Sequence, residues 1–165
     1  MIFFWQIILL IATLIYISIN SHTDINPWIV PNLPLALLIA IFTHRLFTSA
    51  LIGVIPIAFF LGLSSSESTI TFLLILIIIL ISGSLIIFPQ KDLLKHRIKL
   101  STVSMITGAF SSLIYIFLLM LATDDLSLIS SLHQQILAVV FITGVTSGLM
   151  ALAMSYISNN REYVN

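Results

Sequence analysis

The stretch "TITFLLILIIILISGSLIIF", residues 69–88, carries no charge, and its central "FLLILIIILI" is apolar on every face. Such a run has one comfortable solvent. About 20 mostly apolar residues match the ~30 Å hydrocarbon core of a bilayer, where the backbone must satisfy its own hydrogen bonds and therefore forms a helix. Three further segments reach this length cleanly or nearly so, at about 2–19, 101–122 and 135–157. Composition agrees: 59% of the 165 residues are hydrophobic and 7% charged, against about 25% charged in a typical soluble domain. The chain reads as a single integral membrane domain, 1–165, with an all-α transmembrane bundle fold. Its first segment lacks a basic leader and an evident cleavage site, so a retained span is expected there rather than a signal peptide.

Residues 27–63, "PWIVPNLPLALLIAIFTHRLFTSALIGVIPIAFFLGL", are too long and too interrupted for one straight helix. His44-Arg45 divides them into pieces of about 28–43 and 47–63. At 1.5 Å per residue each reaches about 24–26 Å, slightly short of the core. They are two short spans, giving six in all, or a re-entrant pair. Pro27, Pro31 and Pro34 cluster at the start of the first piece, where a missing amide is harmless, and Asn32 is placed to cap that turn. Pro56 sits mid-segment in the second piece and frees a carbonyl one turn back. With Gly53 it marks an expected helix break, and the third segment is expected inside the bundle, where neighbours satisfy the freed group.

With six spans the loops alternate sides, and the charges sort accordingly. One side holds Arg45, the island "FPQKDLLKHRIKL" with Lys91, Lys95, Arg97 and Lys99, and Arg161 in the tail. These are all six basic residues. Asp24, Glu67, Asp124 and Asp125, four of the six acids, fall on the other side. Cytoplasmic loops retain Lys and Arg during insertion, so both termini and the island are expected inside. Lys91, Lys95 and Lys99 recur every four residues, and their stems snorkel toward anionic headgroups. Arg45, Lys91, Lys95, Arg97, Lys99 and Arg161 together form the expected lipid and topology anchor.

Little in the sequence points to chemistry. The segment cores hold no Asp, Glu, Lys, Arg or His, which argues against a proton or ion relay and a voltage sensor. The absence of cysteine excludes disulfides, thiolate metal ligands and a cysteine nucleophile. His22, His44, His96 and His133 form no H-x-x-x-H pair and read as interfacial polar residues. No G-x-S-x-G appears, and Asp124-Asp125 reads as a solvated outer loop. No enzyme activity, metal or cofactor is expected, and balanced charge gives no field for nucleic acid. Packing chemistry is clearer. Ser104, Gly108 and Ser112 recur at four-residue spacing, and Gly144 and Gly148 form a GxxxG extended by Ala151. Small residues four apart let another helix backbone approach, making these the candidates for partner-helix packing. Mutual packing of the fifth and sixth spans explains both stripes equally well.

The layout resembles the MreD family of bacterial rod-shape-determining membrane proteins. "VPNLPLALLIAIF" (Val30 to Phe42) is similar to the family's Pro-Asn opening of the second span. "ALIGVIPIAFFLGLSSSES" resembles its short third segment, and "SLHQQILAVVFITGVTSGLMALAMSYISNNRE" its last span and tail. The chain departs from the family at Leu61 and Gly62, where an acidic residue is usual, and at Pro56, where a glycine-rich face is expected. The resemblance implies a non-enzymatic scaffold of the cell-elongation and peptidoglycan-synthesis machinery, with the single-span protein MreC as partner. Through MreC it would meet the transpeptidase, RodA and the actin-like filament. It also implies a fold similar to the vitamin-binding S components of energy-coupling transporters. Two alternatives stay open on that basis: a small-molecule-binding transporter subunit, to whose pocket Asn20, Asn26, Trp28 and His133 would contribute, and an accessory subunit of a larger membrane complex.

Overall fold

The computed structural model describes residues 2–22, 32–44, 47–64, 68–90, 97–123 and 128–158. Among them the apolar runs form six α-helices: α1 (Ile2–His22), α2 (Leu33–Thr43), α3 (Phe47–Ser64), α4 (Thr69–Ile87), α5 (Arg97–Ala122) and α6 (Leu128–Ser158). Local chemistry sets the ends where caps are visible. Ser68 Oγ accepts from the Thr71 amide at 3.2 Å and starts α4. Pro89 lies in the 3₁₀ turn Phe88–Gln90 that ends it, as a residue without an amide does. Asn32 caps α2 as its sequence position suggests, its Oδ1 accepting from the Leu35 amide at 3.0 Å, with Pro34 in the first turn.

Side-chain contacts fix the helix directions. Gln6 of α1 donates to the Ser49 carbonyl of α3, and Gly53 of α3 faces Leu9 of α1, so these two run parallel. Gly62 meets the backbone of Thr69 across the α3–α4 turn. Gly83 of α4 packs on Thr107 of α5, and Gly108 of α5 on Ser147 of α6. At its two ends α2 meets Thr143 and Ala151 of α6, and therefore runs parallel to it.

The outward faces of this bundle are apolar, unlike those of a water-soluble one. Outward faces carry Ile70, Leu74, Ile78, Ile81 and Leu85 on α4, and Ile106, Phe110, Leu113 and Phe117 on α5. Buried positions include Ser104, Thr107, Ser111, Ser112, Thr143 and Ser147. Hydroxyls gather in the interior, and aliphatic side chains face a solvent as apolar as themselves. Three helices are long and apolar enough to cross a membrane: Thr69–Ile87, Arg97–Ala122 and Gln134–Ile157. The apolar stretches Phe4–Ile19, Leu33–Thr43 and Thr48–Ser64 are shorter.

The enclosed helix is α2, not the third segment. Every residue from Pro34 to Thr43 is buried, and α2 packs against each of the other five helices. The expected span of about 28–43 is represented by an 11-residue helix, about 16 Å long at 1.5 Å per residue, with 28–31 outside the described residues. Its cap lies beside Thr143, near the middle of the apolar stretch Gln134–Ile157, so α2 covers roughly half of a ~30 Å core. Helix α3 instead lies at the periphery. Ile52, Ile55, Phe59 and Leu63 form its outward stripe, while Val54, Ile57, Ala58 and Leu61 face in. Nor is α3 broken: the helix continues through Pro56. Proline deletes one backbone bond, and the buried residues on either side hold the helix across the gap. Gly53 is a packing position, since a Cβ there would collide with Leu9.

Candidate functional site

The six residues expected to receive a partner helix all lie inside the chain's own bundle. Gly108 allows α5 to meet α6: a Cβ there would sit 2.6 Å from Ser147 Cβ. At Gly144 it would sit 2.9 Å from both Ala109 Cβ and the Met105 carbonyl, and at Gly148 3.1 Å from Met105 Cβ and the Ser101 carbonyl. Hydrogen bonds lock the same seam. Ser104 Oγ lies 2.8 Å from Ser147 Oγ and 3.1 Å from the Ser147 carbonyl, and Ser101 Oγ donates to the Gly148 carbonyl at 2.8 Å. Ser112 is buried on the same helix, and Ala151 is fully enclosed. The mutual packing of spans five and six is the arrangement seen, and the groove has no room for a second chain.

A second polar feature surrounds the head of α2. The Asn32 amide N–H donates to Thr143 Oγ1 at 3.3 Å. Tyr115 lies close to the Asn32 side chain and to Tyr16, and all are buried. Among the described residues Asn32 Nδ2 has no partner at hydrogen-bond geometry, and neither do Thr107 Oγ1 and Ser111 Oγ along α5. Beside Gln6, whose Nε2 reaches Ser49, Gln6 Oε1 and Trp5 Nε1 are also buried without partners. Sequence reasoning found Asn32 as a cap but missed Thr107, Ser111, Tyr115 and Thr143. The available signal was the run of hydroxyls on one side of α5, at 104, 107, 111 and 115.

At the basic end, Arg97 opens α5 and its guanidinium lies over the Tyr156 ring, 4.7 Å from the centroid. This cation–π contact ties the starts and ends of α5 and α6 together, while Lys99 is exposed. Arg45, Lys91, Lys95 and Arg161 lie outside the described residues, as do Asn26, Trp28, His96 and the Asp124-Asp125 pair; so do the side chains of Asn20, His22 and His133. His44, just past α2, places Nε2 2.8 Å from the Ala151 carbonyl. Burial pushes its pKa below the ordinary histidine value, partly offset by that hydrogen bond. Among the described residues no group of three His, Asp or Glu side chains is placed to hold a metal.

Fold and polarity together define a helical bundle built for a bilayer, with a half-depth helix at its centre. No family model, curated protein or solved structure matches the chain.

Proposed function

We propose that this chain is a multi-pass protein of the bacterial cytoplasmic membrane that serves as a non-enzymatic scaffold of the cell-elongation machinery. Its termini and basic island face the cytoplasm, and its six helices cross or enter the bilayer in turn. The reading rests on the MreD resemblance, and the observation that supports it best is α2. The described part of the stretch that carries the resemblance, Asn32–Phe42, is the helix around which the other five pack. A scaffold needs a stiff body rather than reactive groups, and the locked α5–α6 seam and enclosed α2 supply one. Because the seam is filled, an MreC-like partner helix meets the outward aliphatic faces.

The test is co-expression with the MreC-type single-span protein of the same genome, followed by purification in mild detergent. Stable co-purification, with rod cells rounding up on depletion of this chain, is the expected result. Failure to co-purify, together with a stoichiometric thermal shift on adding a vitamin-sized molecule, would replace the scaffold with a ligand-binding transporter subunit.

A further inference from the structure

Many hydroxyls in these helices spend their hydrogen on their own backbone. Thr13 donates to the Leu9 carbonyl at 2.8 Å, Thr102 to Ile98 at 3.0 Å, Thr123 to Leu119 at 3.1 Å and Thr146 to Ile142 at 2.8 Å. That back-bond is the default for Ser and Thr in an apolar helix. Thr107 and Ser111 do not make it. Both are fully buried, at 0% exposure, and both hydroxyls lack any partner. One turn further along α5 stands Tyr115, whose hydroxyl is close enough to the Asn32 side chain to interact with it. Burying one such group unpaired costs about 1–3 kcal/mol. Two of them one turn apart on one helix face need a common explanation.

We propose that the line Thr107–Ser111–Tyr115–Asn32 holds a short file of ordered water within the bundle. Side chains one helical turn apart are separated by about 5–6 Å, the reach of one water making two hydrogen bonds of about 2.8 Å. A buried water takes two to four such bonds from groups that otherwise have none. Other occupants fit worse. A charged ligand would find no counter-charge among these four side chains, and an unpaired buried charge is prohibitive. An anion at the α2 N-terminus would find most donors spent: Pro34 has none, and the Asn32, Leu35 and Ala36 amides are taken by Thr143 Oγ1, Asn32 Oδ1 and the Asn32 carbonyl. The inference is independent of the scaffold reading.

The full chain in lipid nanodiscs, with threonine methyls labelled, tests this by water-to-methyl magnetisation transfer. A water cross-peak at the Thr107 γ-methyl is expected; acyl-chain signal alone at that methyl would overturn the proposal. Thermal unfolding gives a second reading through Thr107→Val and Ser111→Ala. If water links the hydroxyls, each variant unfolds several degrees lower, and the double variant loses less than the sum because the water is shared. If the hydroxyls are dry, or turn to their own helix as Thr146 does, removing them leaves the midpoint unchanged or raises it. Thr146→Val serves as the back-bonded control.

Discussion

The backbone amide of Asn32 donates to Thr143 Oγ1 at 3.3 Å, joining residues 111 positions apart at the middle depth of the bundle. The contact holds the head of a helix whose cap residue is itself buried. Asn32 also closes the first turn through Oδ1, so one residue serves both the local cap and the tertiary anchor. Thr143→Val removes only the anchor and is expected to cost about 1 kcal/mol, the net worth of one hydrogen bond. Asn32→Ala keeps the backbone amide and its bond to Thr143 and removes only the Oδ1 cap, at a cost of about 0.5–2 kcal/mol. Denaturant titration in mixed micelles should place both variants below wild type. Equal stability of the three would show that α2 is held by packing alone.

The α5–α6 seam invites a covalent test, because the chain has no cysteine of its own. Ser104 and Ser147 face each other with hydroxyl oxygens 2.8 Å apart. Ser104→Cys combined with Ser147→Cys should oxidise to a disulfide within one chain, visible as a faster-migrating monomer that reducing agent reverses. A disulfide-linked dimer in its place would mean that these faces join two molecules.

Glycine substitutions probe the same seam by size. Gly108→Ala and Gly144→Ala put a Cβ under 3 Å from the opposing helix, whereas Gly148→Ala brings it to 3.1 Å. The first two must push the helices apart, and each is expected to cost about 1–3 kcal/mol, the usual range for overpacking. The third should cost less. Melting temperatures of purified variants check the order, and insertion into the membrane should remain intact.

His44 gives the bundle a pH dependence of determined sign. Its pKa is lowered in the folded chain, mainly by burial, so the unfolded chain binds the proton more readily. Stability from this residue is complete above about pH 6.5, the ordinary histidine value, and is lost as pH falls through the lower folded pKa. Unfolding midpoints measured from pH 8 down to pH 5 should decline, and His44→Gln should flatten that decline. An unchanged slope in His44→Gln would assign it to other groups.

Much of this architecture is legible in the sequence because bilayer length and backbone self-satisfaction leave few choices. The cap at Asn32 is readable because its chemistry is local. The identity of the enclosed helix is not. Segments 28–43 and 47–63 are both short and both apolar all round, so no periodicity separates the inward from the peripheral one. Pro56 points the wrong way, since one missing hydrogen bond in α3 is tolerated at the bundle's edge. The small-residue stripes show that a helix must come close at Gly108 and Gly144, but spacing does not say whether that helix belongs to the same chain. The unpartnered hydroxyls of Thr107 and Ser111 depend on how α5 is rotated against α2, which only the packed structure fixes.

The basic island separates an orientation signal from a docking site. Lys91, Lys95, Arg97 and Lys99 are four of the six basic residues, and retention of such charges in the cytoplasm orients neighbouring spans. Arg97 has a further contact, the Tyr156 ring, worth about 0.5–1 kcal/mol where solvent reaches it. Replacing all four with Gln should yield inverted or mixed topology, read by labelling single cysteines placed in the 123–127 and 159–165 segments from one side of the membrane. Arg97→Lys alone should keep the topology and weaken only the stacking on Tyr156, a small drop in melting temperature. If the fourfold variant inserts normally but elongation fails, the island acts as a docking surface for a cytoplasmic component, and Arg45 and Arg161 suffice to set the orientation.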